Sequence, residues 1–576
     1  MAKSINRLLA ELLDNETGAV HEEYRDEISS RLTTYESLDS LPYTNLTTGD
    51  QAFVKSNQRM YISNGSGWYN VALVNASPSL SISPTGAITL ASDGTPTVIT
   101  LTGTDSDQVN LTFTVESDGD FGGLATLSQD SSVFTITPLS QDSATTTSST
   151  LTFKTSDGIN FGTGTSAFSL TFGPPQIKIT ASDAAASDTF GRYSSMSSDG
   201  NYIIVGTYAS ESAYIFVKSG SSWTQQTILT ASDGEANDRF GSGVSISSDG
   251  SYAIVGAEQE DGGNGNPAGY AGAAYIFTRS GSTWTEQQKI TASDAQTNDR
   301  FGSAVSISSD GSYAIVGAYL EDDGSGDPTS NAGAAYIFTR SGSTWTQQQR
   351  IDAPGASTND FFGYRVGLNS NGTYALITAI QDYNGALVNA GAVYVFTRSG
   401  STWTQQAKLT PSDASASDFF GRSVSLDSNA NYAVATTSSN FRAEGGAAYI
   451  YTRSGSTWTQ QTKITSSDGQ TGDVFGTWAE LNSDGTSLVV GAMREDGGSG
   501  DPTSNAGAAY VFTRSGSTWT EEYKLTASDA QVNDNFGGSV SISSDGSSVI
   551  VGAENEDGGA GDPLSNAGAV YVFDLS

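Results

Sequence analysis

The chain has 576 residues, of which 36% are hydrophobic and 65 are glycine, a composition typical of folded, turn-rich β structure rather than of disorder. Its formal net charge of −36 repels nucleic acid and anionic membrane surfaces, so neither is an expected partner. The chain contains no cysteine and one histidine, His21, so the common cysteine and histidine catalytic or metal sites cannot be built. We therefore expect a protein that is not an enzyme.

Residues 1–40 are predicted to form two short amphipathic helices. Ser4 stands at an N-cap position, and two apolar stripes with helical spacing follow, at Ile5, Leu8, Leu9, Leu12 and Leu13 and at Val20, Tyr24, Ile28 and Leu32. Helices this short bury too little surface alone, so we expect them to pack against sister chains or another protein. A self-contained helical hairpin is the alternative.

The sequence shows no obvious signal for secretion or membrane insertion. The first 18 residues lack an apolar core of signal-peptide length, and no later run is long and apolar enough to span a bilayer. Domains rich in serine, threonine and glycine are usually extracellular. A virus particle that is assembled in the cytoplasm and exposed after lysis reconciles these observations, although a removed precursor segment or a non-classical secretion route would leave the same sequence.

Residues 41–75 are predicted to form a small β module, with strands at 51–54, 59–63 and 68–74 and a tight turn at Asn64-Gly65. The run LPYTNLTTGDQAFVKSNQRMYISNGSGWYNVALVN resembles a module near the N-termini of virion structural proteins of marine cyanophages and related tailed phages, with GDQAFV and NGSGWYN as its recognisable cores. The resemblance implies attachment to a virus particle. A small β-hairpin domain of other origin is the alternative.

Residues 76–173 are predicted to form a β-sandwich of immunoglobulin or cadherin type, because short strands at 98–101, 111–115, 134–137 and 151–154 alternate with turn residues. Clustered carboxylates in its loops suit calcium, the one cofactor that the sequence suggests. These candidate ligands are Asp105, Asp107, Asp118 and Asp120. The alternative is that they only solvate the loops. A short stiff joint, Gly173-Pro174-Pro175, follows.

Residues 174–576 are organised around a Phe-Gly pair that recurs every 50 to 61 residues, a period that suits a four-stranded propeller blade. In the third copy, apolar residues alternate after Phe301, Asp310-Gly311 supplies a tight hairpin, and Ser341-Gly342-Ser343 turns a second one. The phenylalanines are Phe190, Phe240, Phe301, Phe362, Phe420, Phe475 and Phe536. Seven copies predict seven blades.

These copies, with Phe-Gly at the head and Gly-Ala-Ala-Tyr-Ile-Phe in the third strand, resemble FG-GAP repeats, the family of the integrin α-subunit propeller and of many bacterial and viral surface proteins. The resemblance implies a mainly β chain with a seven-bladed β-propeller. The calcium-binding copies of integrins carry an Asp-x-Asp-x-Asp-Gly loop, and no copy here has that spacing. The resemblance therefore implies no calcium site in the blades.

The seventh copy stops at residues 570–573, one strand short of the others. Residues 176–183, QIKITASD, match the fourth-strand endings of other copies but belong to no copy of their own. We therefore predict that residues 176–180 pair with residues 570–573 and close the ring, which removes an exposed strand edge.

Two kinds of acidic residue recur in the propeller. Aspartates five residues apart precede Phe-Gly in six copies, and the fourth copy keeps only Asp360; their repetition predicts a structural role in loop hydrogen bonding. The loops after the second strands vary more, so we predict a ligand-binding face there, with solvation as the alternative. Its candidate residues are Glu258, Glu260, Asp261, Glu321, Asp322, Asp323, Asp327, Glu495, Asp496, Asp501, Glu556, Asp557 and Asp562.

Together these patterns favour a structural protein of a tailed phage, such as a fibre, a spike or a capsid-surface appendage on the virion. Its N-terminal region would bind other virion proteins, and its propeller would bind a glycan or protein of the host surface. A cellular surface adhesin and a glycan-degrading depolymerase are the alternatives. The sequence names neither the host nor the ligand.

Overall fold

The computed structural model describes residues 33–57, 59–70, 77–85, 88–90, 96–105, 111–117, 125–138, 146–157, 160–171, 174–261, 269–322, 329–383, 385–437, 444–496, 504–557 and 564–575. Two compact units, residues 1–172 and 173–576, make up the chain. The helices predicted in residues 1–40 fall on positions 1–32, outside the described residues. In the described ranges the one helical element is a 3-10 turn, Leu38–Ser40, and no helix is long and apolar enough to cross a membrane.

The first unit begins with a small four-stranded sheet. Its strands are β1 (Thr33–Tyr35), β2 (Thr48–Val54), β3 (Arg59–Asn64) and β4 (Trp68–Asn70), paired in that order with β1 parallel to β2 and the others antiparallel. The side-chain oxygen of Asn64 accepts hydrogen bonds from the backbone N–H groups of Ser66 and Gly67, at N···O distances of 2.9 and 3.0 Å. These bonds form the predicted turn. The parallel strand β1 was not predicted.

Two further sheets of the first unit share one hydrophobic core. One sheet has the order β5 (Ser79–Ser83), β7 (Thr97–Thr104), β10 (Val133–Pro138), β9 (Ala125–Asp130), and the other β6 (Ile88–Thr89), β12 (Phe161–Thr171), β11 (Thr146–Ser156), β8 (Thr112–Ser117). Phe134 of the first sheet contacts Phe153 of the second edge to face, with ring centroids 5.2 Å apart. Alternating buried positions along β7 and β10 supply this core.

The second unit consists of seven four-stranded antiparallel sheets, which we number as blades 1 to 7. Blades 1 to 4 contain β14–β17 (Tyr193–Met196, Tyr202–Gly206, Ala213–Ser219, Ser222–Leu229), β18–β21 (Phe240–Ile246, Tyr252–Ala257, Ala273–Ser280, Thr283–Ile290), β22–β25 (Phe301–Ile307, Tyr313–Ala318, Ala334–Ser341, Thr344–Asp352) and β26–β29 (Phe362–Leu368, Tyr374–Ala379, Ala392–Ser399, Thr402–Leu409).

Blades 5 and 6 contain β30–β33 (Val424–Leu426, Tyr432–Thr437, Ala447–Ser454, Thr457–Ile464) and β34–β37 (Phe475–Leu481, Ser487–Ala492, Ala508–Ser515, Thr518–Leu525). Blade 7 contains β38–β40 (Phe536–Ile542, Ser548–Ala553, Ala569–Asp574) and, as its fourth strand, β13 (Gln176–Ile179). The first strand of each blade contacts the first strand of the next, and β38 contacts β14, so the first strands form a closed inner ring.

Each Phe-Gly pair fills the space between two blades. Phe301 is fully buried beside Ile276 of blade 2 and contacts Tyr336 and Phe338 of its own blade edge to face, at centroid distances of 5.5 and 5.9 Å. Gly302 has φ +95°, and a Cβ there would lie 2.2 Å from the carbonyl oxygen of Ala273 in the preceding blade. Only glycine therefore permits this approach of the two backbones.

The predicted closure of the ring is confirmed. β13 pairs antiparallel with β40, with Gln176 opposite Phe573 and Ile179 opposite Val570. The ammonium of Lys178 on β13 forms ion pairs of 2.7 Å with both Asp529 and Glu556 of blade 7. Backbone hydrogen bonds and the two ion pairs of a partly buried lysine thus hold the closing strand.

Candidate functional site

The aspartates that precede Phe-Gly are structural, as their repetition predicted. The carboxylate of Asp299 accepts the backbone amide of Gln296 at 2.6 Å, and burial raises the pKa of Asp299 to about 7. Its counterparts accept the amide three residues earlier in the same way, namely Asp188, Asp238, Asp360, Asp418, Asp473 and Asp534. They fix the loop that enters each blade.

Four of the residues predicted on the ligand-binding face, Glu260, Glu321, Glu495 and Glu556, are buried. In blade 2 the ammonium of Lys289 lies 2.6 Å from Glu260 and 2.8 Å from Asp233, which also accepts the hydroxyl of Tyr275. Arg350, Lys524 and Lys178 bind Glu321, Glu495 and Glu556 similarly. The glutamates neutralise cations on the fourth strands, and a buried cation requires such a partner.

The other predicted ligand residues have internal roles where the structure describes them. Glu258 is buried and pairs with Arg239 at 3.0 Å. Four aspartates each accept the backbone amide nine residues later and close the base of an acidic loop; they are Asp261, Asp322, Asp496 and Asp557. The described residues do not include four of the ligand candidates, Asp323, Asp327, Asp501 and Asp562. They also do not include three residues of the predicted calcium site, Asp107, Asp118 and Asp120, whereas its fourth residue, Asp105, follows β7. No described group of three acidic or histidine side chains is placed to hold a metal.

A different set of residues faces the centre of the ring, at the positions where the repeats differ. The residue before Phe-Gly has a positive φ of 52° to 61° in all seven blades, a conformation that costs a side chain about 1 kcal/mol. In blades 4 and 5 this residue is phenylalanine, Phe361 and Phe419. The two positions after Phe-Gly hold small residues in blades 2, 3 and 7, but Arg192-Tyr193, Tyr364-Arg365, Arg422-Ser423 and Thr477-Trp478 in the others.

These side chains enclose two cavities. The larger has a volume of about 350 Å³ and is lined by Tyr319, Phe361, Tyr364, Ile380, Gln381, Phe419, Arg422, Val474, Met493 and Arg494. The smaller, of about 110 Å³, is lined by Arg192, Tyr193, Arg365, Arg422, Thr477, Trp478, Met493, Gly538 and Glu554. Arg422 and Met493 line both cavities, so we treat the two as one site and call it the central cup.

Aromatic rings form the wall of the cup. Tyr319 contacts Phe361 and Tyr364 edge to face, both at a centroid distance of 5.9 Å, and Tyr193 contacts Trp478 at 6.0 Å. Such arrangements fix the rings relative to one another. The wall is therefore preformed from blades 1, 3, 4 and 6.

Arginines lie among these rings. The guanidinium of Arg365 is 4.8 Å from the ring of Tyr364 and 4.9 Å from that of Trp478, and Arg422 donates a hydrogen bond to the Tyr364 hydroxyl. Burial alone would raise the pKa of the Tyr364 phenol, but Arg422, Arg365 and Arg192 together bring that pKa below its usual value. The cup is thus a region of positive potential in an acidic protein.

Carboxylates neutralise only part of this charge. Arg192 pairs with Glu554 at 3.0 Å. Arg365 and Arg422 have no carboxylate partner among the residues that the structure describes, and the buried Nε atoms of Arg192 and Arg365 have no hydrogen-bond partner there. This arrangement suits an anion, because a guanidinium binds carboxylates and sulfate-like groups through paired hydrogen bonds.

The cup was not predicted from the sequence, because most of its residues stand next to Phe-Gly, outside the acidic loops that were predicted to bind a ligand. The available signal was the substitution of small residues by arginine and aromatic residues at the two positions after Phe-Gly.

The inner ring also contains a polar channel of about 220 Å³. In most blades a serine of the first strand accepts a hydrogen bond from a backbone N–H of the next blade. Ser245, for example, accepts one from Ile307 at 3.2 Å. Glu480 occupies this position in blade 6, and burial raises the pKa of Glu480 to about 8 although Ser541 and the Ile542 amide bind its carboxyl group. Burial thus favours the neutral form of this carboxyl group.

Comparison with known proteins identifies the repeats. A family model described as FG-GAP repeat matches residues 175–221, 223–277, 284–338, 345–396, 403–451, 458–512 and 519–573, more than half of the chain. No curated protein matches the sequence.

Similar solved structures come from several kinds of protein. The Cps50 (Swd1) β-propeller domain of Myceliophteria thermophila is 6% identical, with a TM-score of 0.45, and 70% of this chain and 100% of that chain are covered. The RRP9 WD40 repeats are 8% identical, with a TM-score of 0.44 and coverages of 70% and 99%. The GH74 xyloglucanase of Xanthomonas campestris is 12% identical, with a TM-score of 0.41 and coverages of 70% and 54%.

Proposed function

We propose, for a chain that belongs to the FG-GAP repeat family, that it is a non-enzymatic structural protein on the surface of a tailed-phage virion and binds the host surface through its propeller. The observation that carries the binding role is the central cup, where aromatic rings surround Arg365 and Arg422, two arginines that have no carboxylate partner among the described residues. A concave site with an apolar wall and a few charged groups is typical of ligand binding.

The attachment role rests on the N-terminal region. The module at 41–75 resembles phage virion proteins, and the apolar stripes of the helices predicted in residues 1–40 favour a covering partner. We propose that these residues bind other virion proteins or sister chains. We further propose that the two sheets of residues 79–171 form a domain of immunoglobulin or cadherin type and that the predicted aspartates bind calcium there.

A mass-spectrometric inventory of purified virions from the source, set beside one of the purified host envelope, tests the virion role. We expect the chain in the virions. Detection in the envelope alone would support a cellular adhesin instead. Release of reducing ends from host polysaccharide by the purified protein would contradict the non-enzymatic assignment and indicate a depolymerase.

A further inference from the structure

We infer that the central cup binds one anionic sugar residue, a pyranose that carries a carboxylate or a sulfate group. This inference rests on the proposed binding function and names the chemical class of its ligand. The anion would lie beside Arg365 and Arg422, and the ring would pack against the aromatic wall of the larger cavity.

The charges of the cup indicate where an anion would bind. Arg365 and Arg422 approach the same ring, that of Tyr364, at 4.8 and 5.7 Å, and neither has a carboxylate partner among the described residues. Partly buried cations without counter-ions are unfavourable, so an anion between them gains more than it would at an exposed lysine. Glu554 already neutralises Arg192, and it would repel an anion from that side of the smaller cavity.

The wall of the larger cavity favours a sugar ring. It presents Tyr319, Phe361, Tyr364 and Phe419 beside the polar groups of Gln381 and Arg422. One face of a pyranose is covered by C–H groups and packs on aromatic rings, while its hydroxyl groups need nearby polar partners. The two features therefore match two parts of one ligand.

The size and surroundings of the cup argue against a macromolecular anion. A volume of about 350 Å³ lies at the lower end of the range for small-molecule pockets and is far too small for a protein interface. The same face carries Asp261, Asp322 and Asp496 at the bases of its acidic loops, in a chain of net charge −36. These charges repel an extended polyanion but leave room for one anionic residue at the centre.

Calorimetric titration of the full-length protein tests the inference with four probes: a galacturonic acid trisaccharide, a monosulfated galactose trisaccharide, a neutral galactose trisaccharide and a hexaglutamate peptide. We expect at least one anionic trisaccharide to bind about tenfold more tightly than the neutral one, and binding to weaken with added NaCl. Equal affinity for the neutral sugar, or binding of the peptide alone, would overturn the inference. The two anionic probes distinguish a carboxylate from a sulfate.

Variants locate the site. Arg365→Gln combined with Arg422→Gln should weaken binding of the preferred probe about tenfold or more, whereas Arg59→Gln, which removes an exposed arginine of β3 in the first unit, should leave the affinity within about twofold. Phe419→Ala should weaken binding while its salt dependence is retained, because the anion contacts remain. Unchanged affinity in the double variant, with an unchanged melting temperature, would refute the site.

The virion inventory and the titration fail independently. Binding of the anionic trisaccharide by a chain that is absent from virions would overturn the virion role and leave the ligand class intact. A chain found in virions that binds none of the sugars would overturn the ligand class alone.

Discussion

Blades 2, 3 and 7 differ from blades 1, 4, 5 and 6 at the two positions after Phe-Gly, which are small in the first group and include arginine or an aromatic residue in the second. Both groups keep the four strands and the fully buried phenylalanine. The fold therefore does not require the large side chains. The repeated residues determine the scaffold, and the departures from the repeat build the cup, so the two sets should respond differently to mutation.

The largest effect is expected where the scaffold has no redundancy, at the closing strand. A chain that begins at Ala181 lacks β13, so β40 has an open edge and buried Glu556 loses Lys178. We expect aggregation or a strongly lowered melting temperature relative to a matched chain that begins at Gly173. Identical melting of the two chains would show that the pairing contributes little.

Two adjacent phenylalanines of blade 4 separate scaffold from cup. Phe362 is fully buried between blades, so Phe362→Ala should lower the free energy of unfolding by about 3–5 kcal/mol. Phe361 is half-buried in the cup and has φ 57°. Asparagine tolerates this conformation and occupies the equivalent position in blade 7 as Asn535. Phe361→Asn should therefore change the free energy of unfolding by about 1 kcal/mol or less. Denaturant unfolding measures the free energy of unfolding of both variants. Similar losses in the two would contradict the distinction between scaffold and cup.

Glu480 is an exception within the scaffold itself and should make stability depend on pH. Its pKa in the folded chain, about 8, exceeds its usual value, so the folded state binds the proton more tightly and stability falls as the pH rises through this range. The melting temperature of Glu480→Gln should be a few degrees above that of the parent at pH 9 and equal to it at pH 4. The exposed Glu235→Gln serves as control, and a pH-independent difference would contradict the assignment.

The smallest effect concerns the tryptophans of the fourth strands. The indole of Trp345 donates to Gln287 of blade 2 at 2.9 Å, whereas the indole nitrogen of Trp223 at the closing seam has no partner among the described residues. Trp345→Phe should therefore cost about 1 kcal/mol more than Trp223→Phe in denaturant unfolding. Equal costs would show that the hydrogen bond between blades adds nothing to packing.

The sequence predicted the scaffold well because its signals are local and repeated. Asp310-Gly311 marks a hairpin, and the match of residues 176–183 to other fourth-strand endings predicted the closure. The same local logic did not reveal that Glu260 is buried. An acidic residue beside a glycine-rich loop resembles a solvated one, and its partner Lys289 lies 29 residues away on a strand that must first be folded back.

The cup could not be predicted from loop composition. Arg192 and Glu554 are 362 residues apart, and only the closed ring places them 3.0 Å from each other. The positions that face the centre can be recognised only when the geometry of the blades is known. With that geometry, the departures after Phe-Gly in blades 1, 4, 5 and 6 would have identified the site.

The position of β13 also determines the order of events during synthesis. This strand is made before any blade, yet its partner β40 is made after the other six blades are available. Loop-closure entropy grows only logarithmically, so bringing residue 176 to residue 573 costs about 2 kcal/mol more than joining strands one repeat apart. The late pairing of β13 with β40 therefore delays folding without a large cost in free energy. Until the two strands pair, the edges of both are open to other chains. Throughout that interval Asp529 and Glu556 lack the ammonium of Lys178, and their attraction for it favours β13 over a foreign strand that has no cation at this position.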